Sequence, residues 1–310
     1  MSERIVILTG GTGFIGRALC RALNGGDYQV AVLTRNLDAA RAILGDQALA
    51  VRWNGRTTTG WQELVSRSEA IINLAGENIG AGRWTPARRA QIRESRVLAG
   101  RALVEGLRRA SPRPGTLIQA SAVGYYGPRG DEDIGEDSPS GDGFLAETVR
   151  LWEESTRGAE ELGVRRVIMR SGLVLESDGG VLPRFLLPFR FFVGGPVGSG
   201  EQWISWVHRD DGAEAFLWAL GRRDLAGVFN LVAPGPVRMR EFARVLGRVM
   251  NRPAACRVPA FLLRWAFGQM AEETILSGQR VLPVRLRQEE FRFRFPDLET
   301  ALRGILKSRR

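Results

Sequence analysis

The chain opens with the apolar run Ile5-Val6-Ile7-Leu8 and passes straight into Thr9-Gly10-Gly11-Thr12-Gly13-Phe14-Ile15-Gly16. A short strand that turns through glycines into an amphipathic stretch, here Phe14–Leu23, is built to hold a pyrophosphate. Gly10 permits the tight turn, Gly13 lets the backbone approach the phosphates, and Gly16 lets the helix pack closely on the strand. The N-terminus of that helix faces the negative charge. Glycine turns are common. The placement of this one, after a strand and before a helix, sets it apart from a purely structural turn.

Strand-like and helix-like segments alternate through the first half. Ile5–Leu8, Val30–Leu33, Ala70–Leu74, Thr116–Ala120 and Arg166–Met169 are apolar runs bounded by turn residues. Phe14–Leu23, Leu37–Leu44, Pro86–Arg109 and Leu145–Leu162 separate them as helices. The alternation predicts an α/β fold, a Rossmann-type doubly wound parallel sheet covered on both faces. Residues 1–175 would form the binding domain, with a late strand at Val228–Val232 returning to its sheet. Beyond residue 176 glycine, proline and aromatics accumulate. Segments 176–206 and 234–310 are expected to make a smaller C-terminal α+β cap on the substrate side. Within it, Phe291–Phe295 reads as a terminal strand.

With 310 residues and 44% apolar side chains the chain can bury a large core. The start of the chain lacks the apolar stretch of a signal peptide, and no run is long enough to span a bilayer, so a cytoplasmic protein is expected. Cys20 and Cys256 form no motif and read as buried thiols in a reducing compartment. The net charge of +10 rests on arginine; Lys307 is the one lysine. The arginines are scattered apart from a cluster between Arg83 and Arg101, and no nucleic-acid motif is present, so no nucleic-acid partner is expected. The tail Lys307–Arg310 reads as a solvated end.

The second strand closes on Thr34-Arg35-Asn36. An acid at that point would bond a ribose 2′-hydroxyl; an arginine pairs with a 2′-phosphate, so NADP(H) is expected over NAD(H). Asn73-Leu74-Ala75-Gly76 ends another strand with small residues that admit the cofactor. Arg89, Arg93 and Arg96 share a helix face by three- and four-residue spacing. One of them could reach a phosphate, the others forming a solvated basic face.

Together these segments resemble the extended short-chain dehydrogenase/reductases, and within them the atypical epimerase-family branch. The resemblance is carried by GGTGFIG (10–16), LTR (33–35), NLAGENI (73–79), IRESR (92–96), SAVGYYG (121–127), RSGLVL (170–175), GGPVGSG (194–200), WISWVHRDD (203–211) and SGQRVLP (277–283). It covers nearly the whole chain. It implies pyrophosphate contacts from Gly10, Thr12, Gly13, Phe14, Ile15 and Gly16, and 2′-phosphate contacts from Thr34 and Arg35. It further implies a cofactor wall of Leu74, Ala75 and Gly76, additional contacts from Gln91 and Arg96, and a nicotinamide-end contact from Leu173. A small helical module at about 255–305, of unknown role, is also implied.

Hydride transfer in that superfamily uses a Tyr-x-x-x-Lys pair with a nearby Ser or Thr, the lysine lowering the tyrosine's pKa. This chain cannot build the pair. The segment where it should fall reads Phe144-Leu145-Ala146-Glu147-Thr148-Val149. The remaining candidates for catalysis are Ser121, Tyr125 and Tyr126. Tyr126 matches a tyrosine that normally packs, and counting back from it puts Ala122, not Ser121, at the catalytic serine's place. His208 reads as structural, with Asp210 and Asp211 as caps of the following helix. One histidine and two distant cysteines leave no metal site, and the acidic stretch Asp131–Asp137 reads as a solvated loop. Two functions fit: an NADP(H)-dependent oxidoreductase or epimerase-like enzyme acting on an unidentified small molecule, or a catalytically inactive NADPH-binding sensor or scaffold working through a protein partner. A homodimer is compatible with the sequence, which does not specify one.

Overall fold

The computed structural model describes residues 4–26 and 28–307. Strands β1 (Arg4–Thr9), β2 (Tyr28–Thr34), β3 (Leu49–Arg52), β4 (Ser68–Asn73), β5 (Thr116–Ala122), β6 (Arg165–Ser171) and β7 (Gly227–Leu231) form one sheet ordered β7-β6-β5-β4-β1-β2-β3. Their pairings are parallel. The chain winds outward from β1 through β2 to β3, then crosses back to β4 on the other side. The crevice beyond the carboxyl ends of β1 and β4 is therefore the switch point where such sheets bind ligands.

The apolar run of β1 follows from burial on both faces. Val6 and Leu8 pack with Leu19 and Leu23 of α1 (Phe14–Gly25), while Ile7, pointing the other way, packs in the layer of Leu103 and Leu107. Asn36 caps α2 (Leu37–Leu44) by accepting from Ala39 N at 3.0 Å. Thr85 caps α3 (Pro86–Arg109), whose first residue is a proline that needs no hydrogen-bond partner there. Helix α4 (Phe144–Glu154) packs along α3, and α5 (Arg209–Gly221) against α1.

A separate apolar cluster holds the smaller C-terminal part. It joins Leu182, Leu186 and Phe189 to Phe242, Leu246 and Leu302. Short two-stranded ladders stitch it to the main sheet's edge, among them Leu173–Leu175 with Trp206–His208 and Asp133–Ile134 with Arg280–Val281.

Several expectations need correction. The helix expected over Leu145–Leu162 ends at Glu154 and resumes only as Gly158–Glu161. Ser155 Oγ and Thr156 Oγ1 donate to the carbonyls of Trp152 and Glu153, competing for acceptors that the next turn needs. Phe291–Phe295 is not a strand. The amides of Arg294 and Phe295 donate to the Asp211 carboxylate, and the rings of Phe291 and Phe293 meet edge to face. The same contacts remove Asp211 from capping duty. His208 caps α5 instead, its Nδ1 accepting from Asp210 N at 3.1 Å. Glu136 is buried, not solvated, and accepts from the amides of Asn230 and Arg285. Residues 308–310 of the tail lie outside the described residues.

Cys20 is buried but Cys256 is exposed. Burial pushes the Cys20 thiol up to about 11, so at neutral pH it stays protonated and unreactive. A thiol reagent at about pH 8 should therefore modify Cys256 alone in the folded protein and both cysteines after unfolding. Rapid labelling of Cys20 in the native protein would contradict this packing.

Candidate functional site

The glycine loop closes on itself. Gly13 N donates to Gly10 O at 2.9 Å, and Gly10 sits at φ +67°, where a side chain would press on Leu74 O. A Cβ on Gly16 would stand 2.2 Å from Gly10 O. The N-terminus of α1 has no side-chain cap and no acid in its first turn. Its amides are thus left to an external anion, which fits a pyrophosphate. Gly16→Ala should force the loop open at a cost of about 1–3 kcal/mol and weaken dinucleotide binding at least about tenfold. Calorimetric titration checks this; an unchanged affinity would contradict the close approach.

A buried polar chain, not foreseen from the sequence, sets the second wall. Thr9 Oγ1 donates to Asn73 Oδ1 at 2.6 Å and accepts from Leu74 N and Ala75 N, each at 3.0 Å. Asn73 in turn donates to Gln119 at 2.9 Å. The three strands β1, β4 and β5 are thereby locked in register, and Leu74–Gly76 is held against the loop. Between these walls runs a cleft of about 680 Å³. Gly10, Thr12, Gly13, Thr34, Arg35 and Gln91 line it, together with Leu74, Ala75 and Gly76. Arg35 is three-quarters exposed, its guanidinium 3.9 Å from Glu77, which Arg88 holds at 3.2 Å. Phe14, Ile15 and Gly16 follow the loop as the first residues of α1, and the Phe14 ring packs against Gly179 and Gly180. Arg89 and Arg93 of α3 are engaged within the protein: Arg89 over the Phe144 ring, and Arg93 with Glu147 at 3.7 Å.

Arg96 and Leu173 line a second cavity of about 260 Å³. Arg96 donates to the carbonyls of Glu77 and Ile92 at 3.0 and 2.9 Å and faces the Trp152 ring at 5.0 Å. Burial pushes its guanidinium down to about 10, still charged at neutral pH. Helix α4 presents Leu145, Thr148, Val149 and Trp152 to this cavity, one face at helical spacing. Phe144 turns away and packs on Trp84. Leu145 and Val149 thus have the four-residue spacing of a tyrosine–lysine pair, with neither a proton to give nor a charge. The opposite wall comes from the chain's far end, including Glu273, Ile275 and Gln279. Only the three-dimensional fold brings that segment here; no local signal marks it.

The remaining catalytic candidates sit elsewhere. Ser121 is buried and its hydroxyl donates to Glu153 at 2.5 Å. Glu153 forms a two-pronged pair with Arg170 at 2.8 and 2.9 Å. The Tyr126 hydroxyl donates to Asn230 at 2.7 Å and accepts from Arg170 at 2.9 Å. Burial raises its pKa, the opposite of what proton exchange near neutrality needs. The Arg170 guanidinium carbon sits 3.4 Å from the centre of the Tyr125 ring. None of the three candidates lines the second cavity. His208 is buried, stacks on Phe295 at 3.9 Å, and burial lowers its pKa, keeping it neutral. Among the described residues no group of three or more His, Cys, Asp or Glu could hold a metal ion, and no helix is long and apolar enough to cross a membrane.

Residues 6–170 match the model of the NAD dependent epimerase/dehydratase family, and residues 258–305 match a domain of unknown function, DUF1731. The epimerase family protein YfhF of Bacillus subtilis is 38% identical, covering 98% of this chain and 99% of that protein. A chloroplastic epimerase family protein of Arabidopsis thaliana, an SDR39U1 homologue, is 39% identical over 99% of this chain and 88% of its own length. The crystal structure of human epimerase family protein SDR39U1 with NADPH superposes with a TM-score of 0.85 at 32% identity, covering 98% of this chain and 99% of that one. With the glycine loop, the switch-point cleft and these matches in place, the chain belongs to the NAD-dependent epimerase/dehydratase family.

Proposed function

We propose that the protein is an NADP(H)-dependent oxidoreductase of this family with a non-standard site for proton exchange. The observation that carries the cofactor choice is Arg35 on the rim of the cleft, where an acid would select NAD(H). The human relative's structure with NADPH supports it. In this reading the loop Gly10–Gly13 and the α1 N-terminus hold the pyrophosphate, Thr34 and Arg35 the 2′-phosphate, and Leu74–Gly76 the cofactor's middle. Arg96, at the junction of cleft and cavity, orients the nicotinamide half, and Leu173 lines its end. When bound, the nicotinamide supplies a hydride; the protein supplies placement and exclusion of water.

A second reading is favoured by one observation, the apolar pair Leu145 and Val149 on the helix face toward the cavity. It makes the protein a sensor or scaffold that holds NADPH without turnover and signals through a protein partner. Loading the protein with NADPH and following the nicotinamide absorbance against aldehydes, ketones and quinones separates the two. Saturable oxidation supports the enzyme. Tight binding with no oxidation of any of them supports the sensor.

A further inference from the structure

The second cavity combines small volume, an apolar wall and polar side chains that are already engaged. Its roughly 260 Å³ lies just below the usual range of ligand pockets, about 300 to 1,000 Å³. Four of its polar side chains donate inward to backbone carbonyls. Gln202 bonds Val197 and Ile275 at 2.9 and 3.0 Å, and Gln279 bonds Val123 at 2.7 Å. Ser205 bonds Gln279 O at 2.8 Å, and Thr274 bonds Met270 O at 2.6 Å. The Glu273 carboxylate accepts from Leu145 N at 2.9 Å, from Phe144 N at 3.3 Å and from Gln269 at 2.7 Å, so it acts as a helix cap rather than an acid. A nucleotide sugar, whose hydroxyls each need a partner, finds chiefly Ser171, Ser277 and the Arg96 guanidinium here. By contrast the Thr148 hydroxyl and the Trp152 indole N–H, on the α4 face that lines the cavity, are buried without a hydrogen-bond partner. They are two unpaired donors beside the cavity, on the helix face that lines it. No tyrosine, histidine, lysine or cysteine is among the described residues of the wall.

Resting on the NADP(H) reading above, we infer that this cavity takes a compact apolar quinone rather than a sugar nucleotide. A quinone needs no acid from the protein. The hydride leaves the dihydronicotinamide carbon and bonds to one quinone oxygen, the ring takes up the electron pair, and the second oxygen becomes an aryloxide that takes its proton from water. The balance is quinone, NADPH and one proton going to hydroquinone and NADP+. An isolated ketone would instead leave a strongly basic alkoxide, which calls for a positioned acid such as the family's tyrosine, and among the described residues the wall has no tyrosine, histidine, lysine or cysteine.

The test uses the whole protein with tetramethyl-1,4-benzoquinone, whose substituted ring resists addition by the exposed Cys256 thiol. NADPH binding is measured first by calorimetry. Quinone binding to the NADP+-loaded protein is then read from quenching of tryptophan fluorescence, and NADPH consumption from absorbance, with UDP-glucose in parallel. Saturable quenching and oxidation by the quinone, with UDP-glucose inert in both, is expected. Thr148→Val should weaken quinone binding about fivefold, the effect of one hydrogen bond, without changing NADPH affinity. Ile275→Trp, filling the cavity from the far wall, should abolish quenching. Tight NADPH binding with no response to the quinone, or displacement of the quinone by UDP-glucose, would overturn this inference and leave the cofactor reading standing. Failure of NADPH itself to bind would overturn the cofactor reading and with it the reaction.

Discussion

Arg35→Asp should weaken NADPH binding by about 100-fold while NADH binding changes by less than about threefold. Hydrogen bonds to a charged group contribute about 1.5–3 kcal/mol, and the substitution adds repulsion between two anions. Arg35 is three-quarters exposed, so its attraction for the phosphate is screened, and added salt should weaken NADPH more than NADH. The internal competitor for Arg35 is weak. Glu77 stands 3.9 Å away and is held more closely by Arg88, so the carboxylate keeps a partner when a phosphate arrives. Titration calorimetry of the variant with both cofactors reads the split directly. Equal loss for the two would show that Arg35 stabilises the fold or the cleft in general and does not meet the 2′-phosphate.

Arg170→Met should destabilise the protein by about 3–5 kcal/mol, lowering Tm by roughly 5–10 °C. The Glu153 carboxylate would lose both prongs of its pair inside the protein, and the Tyr126 hydroxyl would lose a donor. Removing one partner of a buried pair costs more than the pair contributes, because the other charge stays buried and unmatched. The pair holds β6 to α4 and anchors the turn that carries Tyr125 and Tyr126. A thermal or denaturant melt checks the size of the effect. A variant that keeps full stability would contradict this account of the pair, and would reopen Ser121 and Tyr126 as reactive groups. Tyr126→Phe should likewise lower stability, by about 1–2 kcal/mol, through the unpaired Asn230 and Arg170 that it leaves behind.

The parallel sheet was legible because its strands are buried on both faces and read as continuous apolar runs: Ile5–Leu8, Ala70–Leu74 and Thr116–Ala120 needed only their bounding turns. Strand β3, Leu49–Arg52, escaped because its run Ala48-Leu49-Ala50-Val51 is half small alanines on a partly exposed edge, defined by its pairing to β2. The aromatic repeat Phe291–Phe295 misled for the converse reason. Alternation signals a strand only if a neighbour takes its amides, and here the Asp211 carboxylate does. The cofactor cleft was readable since strand, loop and helix are contiguous in the chain and their glycines are sterically required. The second cavity was not. Its walls come from residues more than a hundred positions apart, and the sequence could not choose between Phe144 and Leu145 as the position facing inward. Helix phase settles that in favour of Leu145.

The central claim is that the switch-point cleft distinguishes an adenine dinucleotide carrying a 2′-phosphate from one without it. Titrating the unmodified protein with NADPH and with NADH at one ionic strength tests it most directly. The account predicts saturable binding of both kinds of dinucleotide backbone, with NADPH at least about tenfold tighter, a difference of about 1.4 kcal/mol. Equal affinities, or no heat from either, would contradict it.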